Sequence, residues 1–561
     1  MATEYDSETE KKLCREIIEE IKRTPNMNKD KVTAIKSRVL DRLKIKGMKI
    51  IKNATLISYL TPEENYLRSL LARKFTRSLS GVTVVAIMTE PLKCPGECIF
   101  CPGPNSQPGE KVAQSYTGRE PAALRSIMFG YDSYKQTLSR MLDLHSIGHT
   151  VDKIEIICMG GTFLSAPIEY QDKFISNAFR AILDFKSKLH QYGANPDYSK
   201  DDILIPESNG SLEELIIRLE NCETRLVGVT FETRPDYCSK DHIDRMLLMG
   251  GTRVEIGAQS TKDELLTIAN RKHTTQDIKN AIQLAKDAGL KINLHMMPNL
   301  PNSSPETDLE VFRELFSDPG YRPDMLKMYP CLVVQGTKLF EMWNSGQYKP
   351  YSQEELINLI IKIKTEVLAP YVRIQRIQRD IPADLILDGV KSSNLREIVD
   401  KELENQSLKC KCIRCREEGL QRYLKNKISN PENYEFNVFE YDSSEGKDIF
   451  ISIDDSKENL LIGYVRLRFP SKKAYRPEIN SVPTAIIREI RVVGELVAYN
   501  EDPNPFQIQH RGFGKKLLEK AEEIAQSHGY VKMVIISGIG VKEYFKKFGY
   551  EKDGPYVSKK L

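Results

Sequence analysis

Apolar residues along the chain change their period twice. Over the first 80 residues they recur at helical spacing: Leu13, Ile17, Ile18 and Ile21 share one face, with Glu and Lys on the other. Helical pieces VTAIKSRVLDRLKIKG and TPEENYLRSLLARKF follow, and Thr61-Pro62 ahead of Glu63 and Glu64 marks a helix start. From residue 81 to about 375 short apolar runs alternate with helical stretches such as DIKNAIQLAKDAG (277–289). The predicted strands are VTVVAIM, KIEIICM (153–159), LVGVTFE (226–232), RVEIGA (253–258), KINLHMM (291–297) and MLKMYP (325–330). Strand and helix in alternation predict an α/β unit with a parallel sheet, either a partial barrel or doubly wound. Gly, Pro, Asn, Asp and Ser crowd residues 192–212, which read as a surface insertion. A connector spans 376–430. From 431 to 561 the grammar is that of a separate α+β unit. Strands ISIDDS, LIGYVRLRF and AIIREIRVVGELVAY precede helix KKLLEKAEEIAQSHG, whose buried face is Leu517, Leu518, Ala521 and Ile524. KMVIISG and YFKKFGYEKDGPYV follow.

Charge adds a partner class. The net charge of +4 over 561 residues is small, but residues 21–80 carry 15 Lys or Arg against 4 Asp or Glu. Such a patch is either the footprint of a nucleic acid or a solvated helical surface. No apolar run reaches the length of about 18 residues that a membrane span needs, and the N-terminus has no apolar signal core. A cytoplasmic protein with no membrane partner is expected. Eleven cysteines, in two tight groups and scattered singles, suit metal and cluster ligation in a reducing compartment better than disulfides.

The first group, CPGECIFC, places Cys94, Cys98 and Cys101 on a loop just after the first strand. Three closely spaced thiolates hold three irons of a four-iron cluster and leave the fourth iron open. Zinc is the alternative, but a structural zinc needs a fourth Cys or His, and none lies nearby in sequence. The second group is Cys410, Cys412 and Cys415, spaced C-x-C-x2-C. It suits zinc with one more ligand, for which Cys331 is the candidate; free thiols in a basic loop are the other reading. Before the C-terminal helix, Gln509, Gly512 and Gly514 form Gln-x-x-Gly-x-Gly. Glycines there let a diphosphate approach the backbone and the positive end of the helix.

The first cysteine spacing resembles that of the radical S-adenosylmethionine enzymes, and Gln-x-x-Gly-x-Gly with Tyr544-Phe545 resembles the GCN5-related acetyltransferases. Over nearly its whole length the chain resembles the Elongator catalytic-subunit family, the tRNA uridine carboxymethyl synthases. Further stretches that carry the resemblance are QSYTG (114–118), DKIEIICMGGTF (152–163), FETRPDYC (231–238), RVEIGAQS (253–260), HMMPNLPN (295–302), RIQRDIP (376–382), IREIRVVG and GYEKDGPY. The resemblance implies a radical-SAM partial (β/α) barrel, an α+β acetyltransferase domain, a zinc-bearing connector and a helical basic N-terminal region that binds tRNA. It implies a four-iron cluster, S-adenosylmethionine and zinc as cofactors and acetyl-coenzyme A as co-substrate. The product it implies is 5-carboxymethyluridine at the wobble position, made on the anticodon stem-loop, with Elongator-type partner subunits or a homodimer as possible assemblies.

Residue roles follow from the same resemblance. Gly160, Gly161 and Thr162 lie where this class binds the methionine amino group. Gln259 and Ser260 end the fourth strand and either face that pocket or only pack the strand end. Glu489, Ile490, Arg491 and Val492 line the pantetheine arm; Phe513, Gly514 and Lys515 take the diphosphate. Lys153 contacts the coenzyme across domains, and Lys153 and Tyr544 are the candidate catalytic groups. The family usually has two tyrosines where this chain has Tyr544 and Phe545, and a phenylalanine donates no hydrogen bond. Two rival readings are a protein lysine acetyltransferase with a regulatory iron–sulfur barrel and a non-catalytic RNA-binding scaffold.

Overall fold

The computed structural model describes residues 7–25, 27–43, 50–72, 79, 81–103, 112–192, 203, 210–494 and 512–561. Gln509 and most of the 192–212 insertion lie outside the described residues. The N-terminal region is helical as expected. Ser7–Arg23 buries Leu13, Ile17, Ile18 and Ile21 against Lys29–Arg42, and Thr61 and Glu64 cap a short 3-10 turn from Pro62.

The strands are β1 (Val82–Met88), β2 (Lys153–Met159), β3 (Arg225–Thr233), β4 (Gly251–Gln259), β5 (Lys291–Met296), β6 (Met325–Met328), β7 (Val333–Val334), β8 (Arg373–Arg376) and β9 (Ile386–Asp388). Six of them pair with β8 into a seven-stranded sheet in the order β1-β2-β3-β4-β5-β6-β8; β7 and β9 form a small ladder apart. All pairs in the large sheet are parallel, and helices between the strands make it a curled half-barrel. The six sequence-predicted strands are all present. The seventh, β8, has the sequence RIQR, too short and too polar to show as a strand.

The second sheet is formed by β10 (Tyr434–Ser443), β11 (Gly446–Asp455), β12 (Leu460–Phe469), β13 (Thr484–Val492), β14 (Lys532–Ile535), β15 (Glu551–Asp553) and β16 (Tyr556–Lys560). It is antiparallel except between β13 and β14. Helix Phe513–Ser527 covers one face and buries Leu517, Leu518, Ala521 and Ala525; Ile524, expected with them, is only partly buried.

Every residue of β12 is buried, because both faces of this sheet are covered. Val465, Ile487 and Ile535 point to the helix, whereas Tyr464, Ile486 and Val534 join the hydrophobic core of the half-barrel. That is the period-two alternation of a strand between two layers. An ionic network crosses the same junction. Arg488 on β13 donates two 2.6 Å hydrogen bonds to Asp324, just before β6, and Arg468 on β12 donates at 2.6 Å to Asp287. Lys286 donates at 2.6 Å to Asp448 on β11. The second sheet is therefore docked on the half-barrel through one continuous core.

Candidate active site

Parallel strands covered on both sides are normally apolar throughout. Here they carry charges on their inner face near the C-terminal ends, where catalytic groups of such barrels gather. Register sets Glu232 on β3 opposite Glu255 on β4, and His295 on β5 opposite Lys327 on β6. Glu232, Glu255 and His295 bring ligand atoms within 4.8 Å of one another. Lys327 pairs with both carboxylates, and Tyr116 donates to Glu232 at 3.1 Å. Burial alone would raise the Glu255 carboxyl, but Lys327, His295 and Arg253 overcome it and hold it well below the usual carboxylate range.

These side chains line a cavity of about 710 Å³. Cys94, Cys98 and Cys101 line it too, as do Arg491 at the end of β13 and Val493 and Gly494 just after it. Each thiol of the first group has a polar neighbour. Gln114 Nε2 and Ser115 Oγ lie 3.2 and 3.1 Å from Cys101 Sγ, Arg271 donates to Cys98 Sγ at 3.1 Å, and Thr162 Oγ1 is 3.7 Å from Cys94 Sγ. Gly160 and Gly161 have φ of +116° and +75°, and a Cβ on Gly160 would stand 2.3 Å from Thr89 Oγ1. Only glycine gives that conformation and that close approach. Gln259 also has a left-handed backbone, φ +71°, and its Oε1 is buried without a partner. Ser260 is buried and accepts from Lys262 N–H at 3.2 Å. The three thiols, the glycine cradle and the orphaned Gln259 oxygen fit a cluster with one open iron and a bound amino acid moiety.

The second cysteine group is tighter. Cys410, Cys412 and Cys415 sulfurs all lie within 4.8 Å of one another, a gathering that the first group does not make. Tetrahedral thiolates about 2.3 Å from one ion sit close together, whereas the corners of a cubane hold them further apart. Cys331 is not with them. On the loop that follows β6, its thiol is buried beside Tyr348 and its backbone N–H donates to Pro298 O, on the loop after β5. The fourth-ligand expectation for Cys331 is corrected accordingly; among the described residues no fourth Cys, His, Asp or Glu joins the three. Around this group the connector ties both halves together. Ile413 N–H bonds Val372 O, Gly419 N–H bonds Val493 O, and Arg416 reaches Pro370 O and Asp454.

In the second sheet, β13 and β14 are hydrogen-bonded only from Thr484 to Ile487. Beyond that point β13 continues against β12 while its pairing with β14 stops, so the two parallel strands part along Arg488 to Val492. Glu489 in this stretch bonds Arg466 at 2.9 Å, while Ile490 and Val492 pack partly into the helix-side core. Gly512, at φ +78°, precedes the helix that starts at Phe513; Lys515 is exposed and pairs with Glu519. Tyr544 is 38% exposed and its hydroxyl would be 2.9 Å from a Cβ on Gly514. Phe545 is 2% exposed and packs in the core against Tyr550, so of the adjacent pair only Tyr544 reaches the surface. Lys153 stands at the foot of β2, where burial and neighbouring Arg225 lower its ammonium. Arg225 abuts Gly540 of the second sheet's loop, so the foot of the half-barrel does meet that domain.

In the basic N-terminal region, Arg38 and Arg42 are paired with Glu16 and Glu20, Lys22 with Glu19 and Glu64, and Lys36 is buried on Ile51 O. Part of the charge excess is thus neutralised internally. Lys44, Lys46, Lys49, Arg73, Lys74 and Arg77 lie outside the described residues. No described helix is long and apolar enough to cross a membrane.

Residues 92–315 match the Radical SAM superfamily, and 323–405 match the Radical_SAM C-terminal domain, which runs past the expected barrel limit at 375. The class is therefore that of radical S-adenosylmethionine proteins. A protein of Methanocaldococcus infernus named tRNA uridine(34) acetyltransferase is 44% identical over 552 residues, 98% of this chain and 98% of that one. Elongator complex protein 3 of Schizosaccharomyces pombe is 42% identical over 563 residues, again 98% of each chain. The solved structure of Methanocaldococcus infernus Elp3 lacking residues 1–46 superposes with a TM-score of 0.72 at 40% identity, covering 86% of this chain and 100% of that one. The chain belongs to the family of tRNA uridine(34) acetyltransferases and Elongator complex protein 3.

Proposed function

We propose that this protein builds 5-carboxymethyluridine at the wobble uridine of tRNA, using acetyl-coenzyme A as carbon donor and radical S-adenosylmethionine chemistry to form the carbon–carbon bond. The observation that carries the reading is the single cavity lined by Cys94, Cys98 and Cys101 and also by Arg491, Val493 and Gly494. A lysine acetyltransferase with a regulatory barrel has no use for such a shared chamber, and a scaffold has no use for an open iron. Relatives named for tRNA uridine(34) supply the substrate in this reading.

Cys94, Cys98 and Cys101 would hold a four-iron cluster, with Gly160, Gly161, Thr162 and Gln259 around the methionine part of S-adenosylmethionine. That pair supplies a 5′-deoxyadenosyl radical, which the uridine C5 requires because it is inert to an acetyl electrophile. The stretch of β13 from Glu489 to Val492, beyond its pairing with β14, takes the pantetheine arm. Gly512, Phe513, Gly514 and Lys515 at the helix start take the diphosphate, and Tyr544 covers it. Lys153 reaches the coenzyme from the half-barrel side. Cys410, Cys412 and Cys415 hold zinc and fix the connector. The basic residues of the N-terminal region bind tRNA phosphates, which position the RNA while the base is taken from the single-stranded anticodon loop.

The test is direct. Anaerobically reconstituted, reduced protein is incubated with tRNA, S-adenosylmethionine and acetyl-coenzyme A, and nucleosides are analysed by mass spectrometry. 5-Carboxymethyluridine together with 5′-deoxyadenosine is expected. Acetylated lysine on added protein without either product would favour the acetyltransferase reading.

A further inference from the structure

His295 is held on several sides inside the cavity and left open toward it. Its Nε2 lies 2.9 Å from Glu255 Oε2, and its ring stands edge-on to Tyr329, centroids 5.4 Å apart. Strand register fixes its backbone opposite Lys327. Nδ1 has no hydrogen-bond partner among the described residues, yet it is not one of the solvent-sealed orphan atoms; its side chain is 13% accessible, and that access is to the cavity it lines.

Glu255 decides the tautomer. An ionised carboxylate only accepts hydrogen bonds, so the imidazole donates Nε2–H to it, and a neutral ring keeps its lone pair on Nδ1. Lys327 and Arg253 already balance the Glu255 charge, so the carboxylate orients the ring rather than taking its proton. Glu232 is the other basic group in this layer, but both its oxygens already accept, from Tyr116 and Lys327. His295 is the better-placed base.

The reaction proposed above leaves one step without a residue. Once the acetyl carbon is joined to C5, the uridine carries a coenzyme A thioester, and water must cleave it before a carboxymethyl group exists. We propose that His295 is the general base of this hydrolysis, with Glu255 as its positioning residue; the inference rests on the carboxymethyl reading. Nδ1 takes a proton from water as the water oxygen bonds to the thioester carbonyl carbon. The C–S bond then breaks, the sulfur leaves with the electron pair and recovers that proton as the free thiol, and the new acid ionises to solvent. Nothing is oxidised or reduced in this step.

His295→Gln separates the roles, because a glutamine amide still donates to Glu255 but has no basic nitrogen. Full-length reconstituted variant is incubated with tRNA, S-adenosylmethionine and acetyl-coenzyme A, then quenched with hydroxylamine, which converts a tRNA-linked thioester to a hydroxamate. Expected are 5′-deoxyadenosine within about twofold of wild type, free carboxymethyluridine slowed by about 100-fold or more, and a hydroxamate on the wobble uridine. Free carboxymethyluridine at the wild-type rate would overturn the assignment. So would a variant making neither deoxyadenosine nor adduct, since His295 would then act earlier or only hold the barrel. A wild-type enzyme that leaves C5 unmodified would instead defeat the carboxymethyl reading itself.

Discussion

Asp324→Asn should loosen the junction between the two halves. Asp324 is fully buried and accepts two 2.6 Å bonds from Arg488, one of 2.8 Å from Ile292 N–H, and faces Arg466 at 3.5 Å. Asparagine keeps the shape and one acceptor but removes the charge, leaving two buried guanidiniums short of a counter-ion. Breaking a buried pair from one side costs about 3–5 kcal/mol, whereas replacing both partners with apolar groups is often neutral. Opening of the junction should thus become roughly 150- to 5,000-fold more frequent. A global melt of a multidomain chain does not report this quantity, so amide hydrogen exchange at Ile292 and along β13 is the assay. Protection there should fall by the stated factor, while exchange in the Ser7–Arg23 helix stays unchanged. Adding Arg488→Met to the variant should recover much of the loss. A change below about 1 kcal/mol in the single variant, or a double variant worse than the single, would refute the ionic account.

Cys98→Ala should abolish the brown absorbance of reconstituted protein, whereas Cys412→Ala should keep it and lose zinc; normal iron in the Cys98 variant would defeat the cluster assignment. Gly514→Glu puts a carboxylate at the positive end of the helix, which favours the helix but repels a diphosphate. Coenzyme binding and uridine modification should disappear with the iron–sulfur spectrum intact, and deuterated acetyl groups should label 5′-deoxyadenosine in the wild type only. The Glu64 carboxyl, hydrogen-bonded by Arg15, is pulled down from 4.5 to about 2. Its contribution to the N-terminal helices is therefore complete above about pH 4.5 and lost as pH falls toward 2, and Glu64→Gln should cost about 1–2 kcal/mol at neutral pH, read by circular dichroism on acid titration.

The sequence was most legible where one residue type had one structural use. Apolar runs marked six strands of the half-barrel, and the cysteine spacings separated the two metal-type groups. Short or two-sided elements were harder. β8 reads RIQR, and β10 shows outward Phe436, Val438 and Phe439, so neither has a pattern that separates a buried face. The docking of the two sheets was invisible, because Ile486 and Ile487 look alike in sequence although they face different layers. Tyr544 and Phe545 likewise part company only in three dimensions. The charged layer carries a readable signal: Glu255 within RVEIGA, Lys327 within MLKMYP and Glu232 within LVGVTFE are charges inside otherwise apolar parallel strands. A buried charge is costly unless paired, so its presence in such a strand already points to a site.

That charged layer and the rigid junction answer one physical demand. In the proposed reaction, hydrogen transfer from the acetyl methyl needs contact within about 3–3.5 Å, and a misplacement of about 1 Å can cost some hundredfold in rate. Two domains joined only by a flexible linker do not meet that tolerance. Here Arg488 and Glu489 are neighbours on one strand: the first is locked to Asp324 of the half-barrel, and the second lies where β13 has parted from β14. Displacing the half-barrel relative to β13 therefore displaces the stretch proposed to hold the coenzyme, and the connector repeats the constraint through Gly419 N–H to Val493 O. The ions at the junction add little net stability against an apolar packing of the same volume. Their directional bonds fix one docking geometry where an apolar interface alone would tolerate sliding, and it is geometry that a radical passed between two substrates requires.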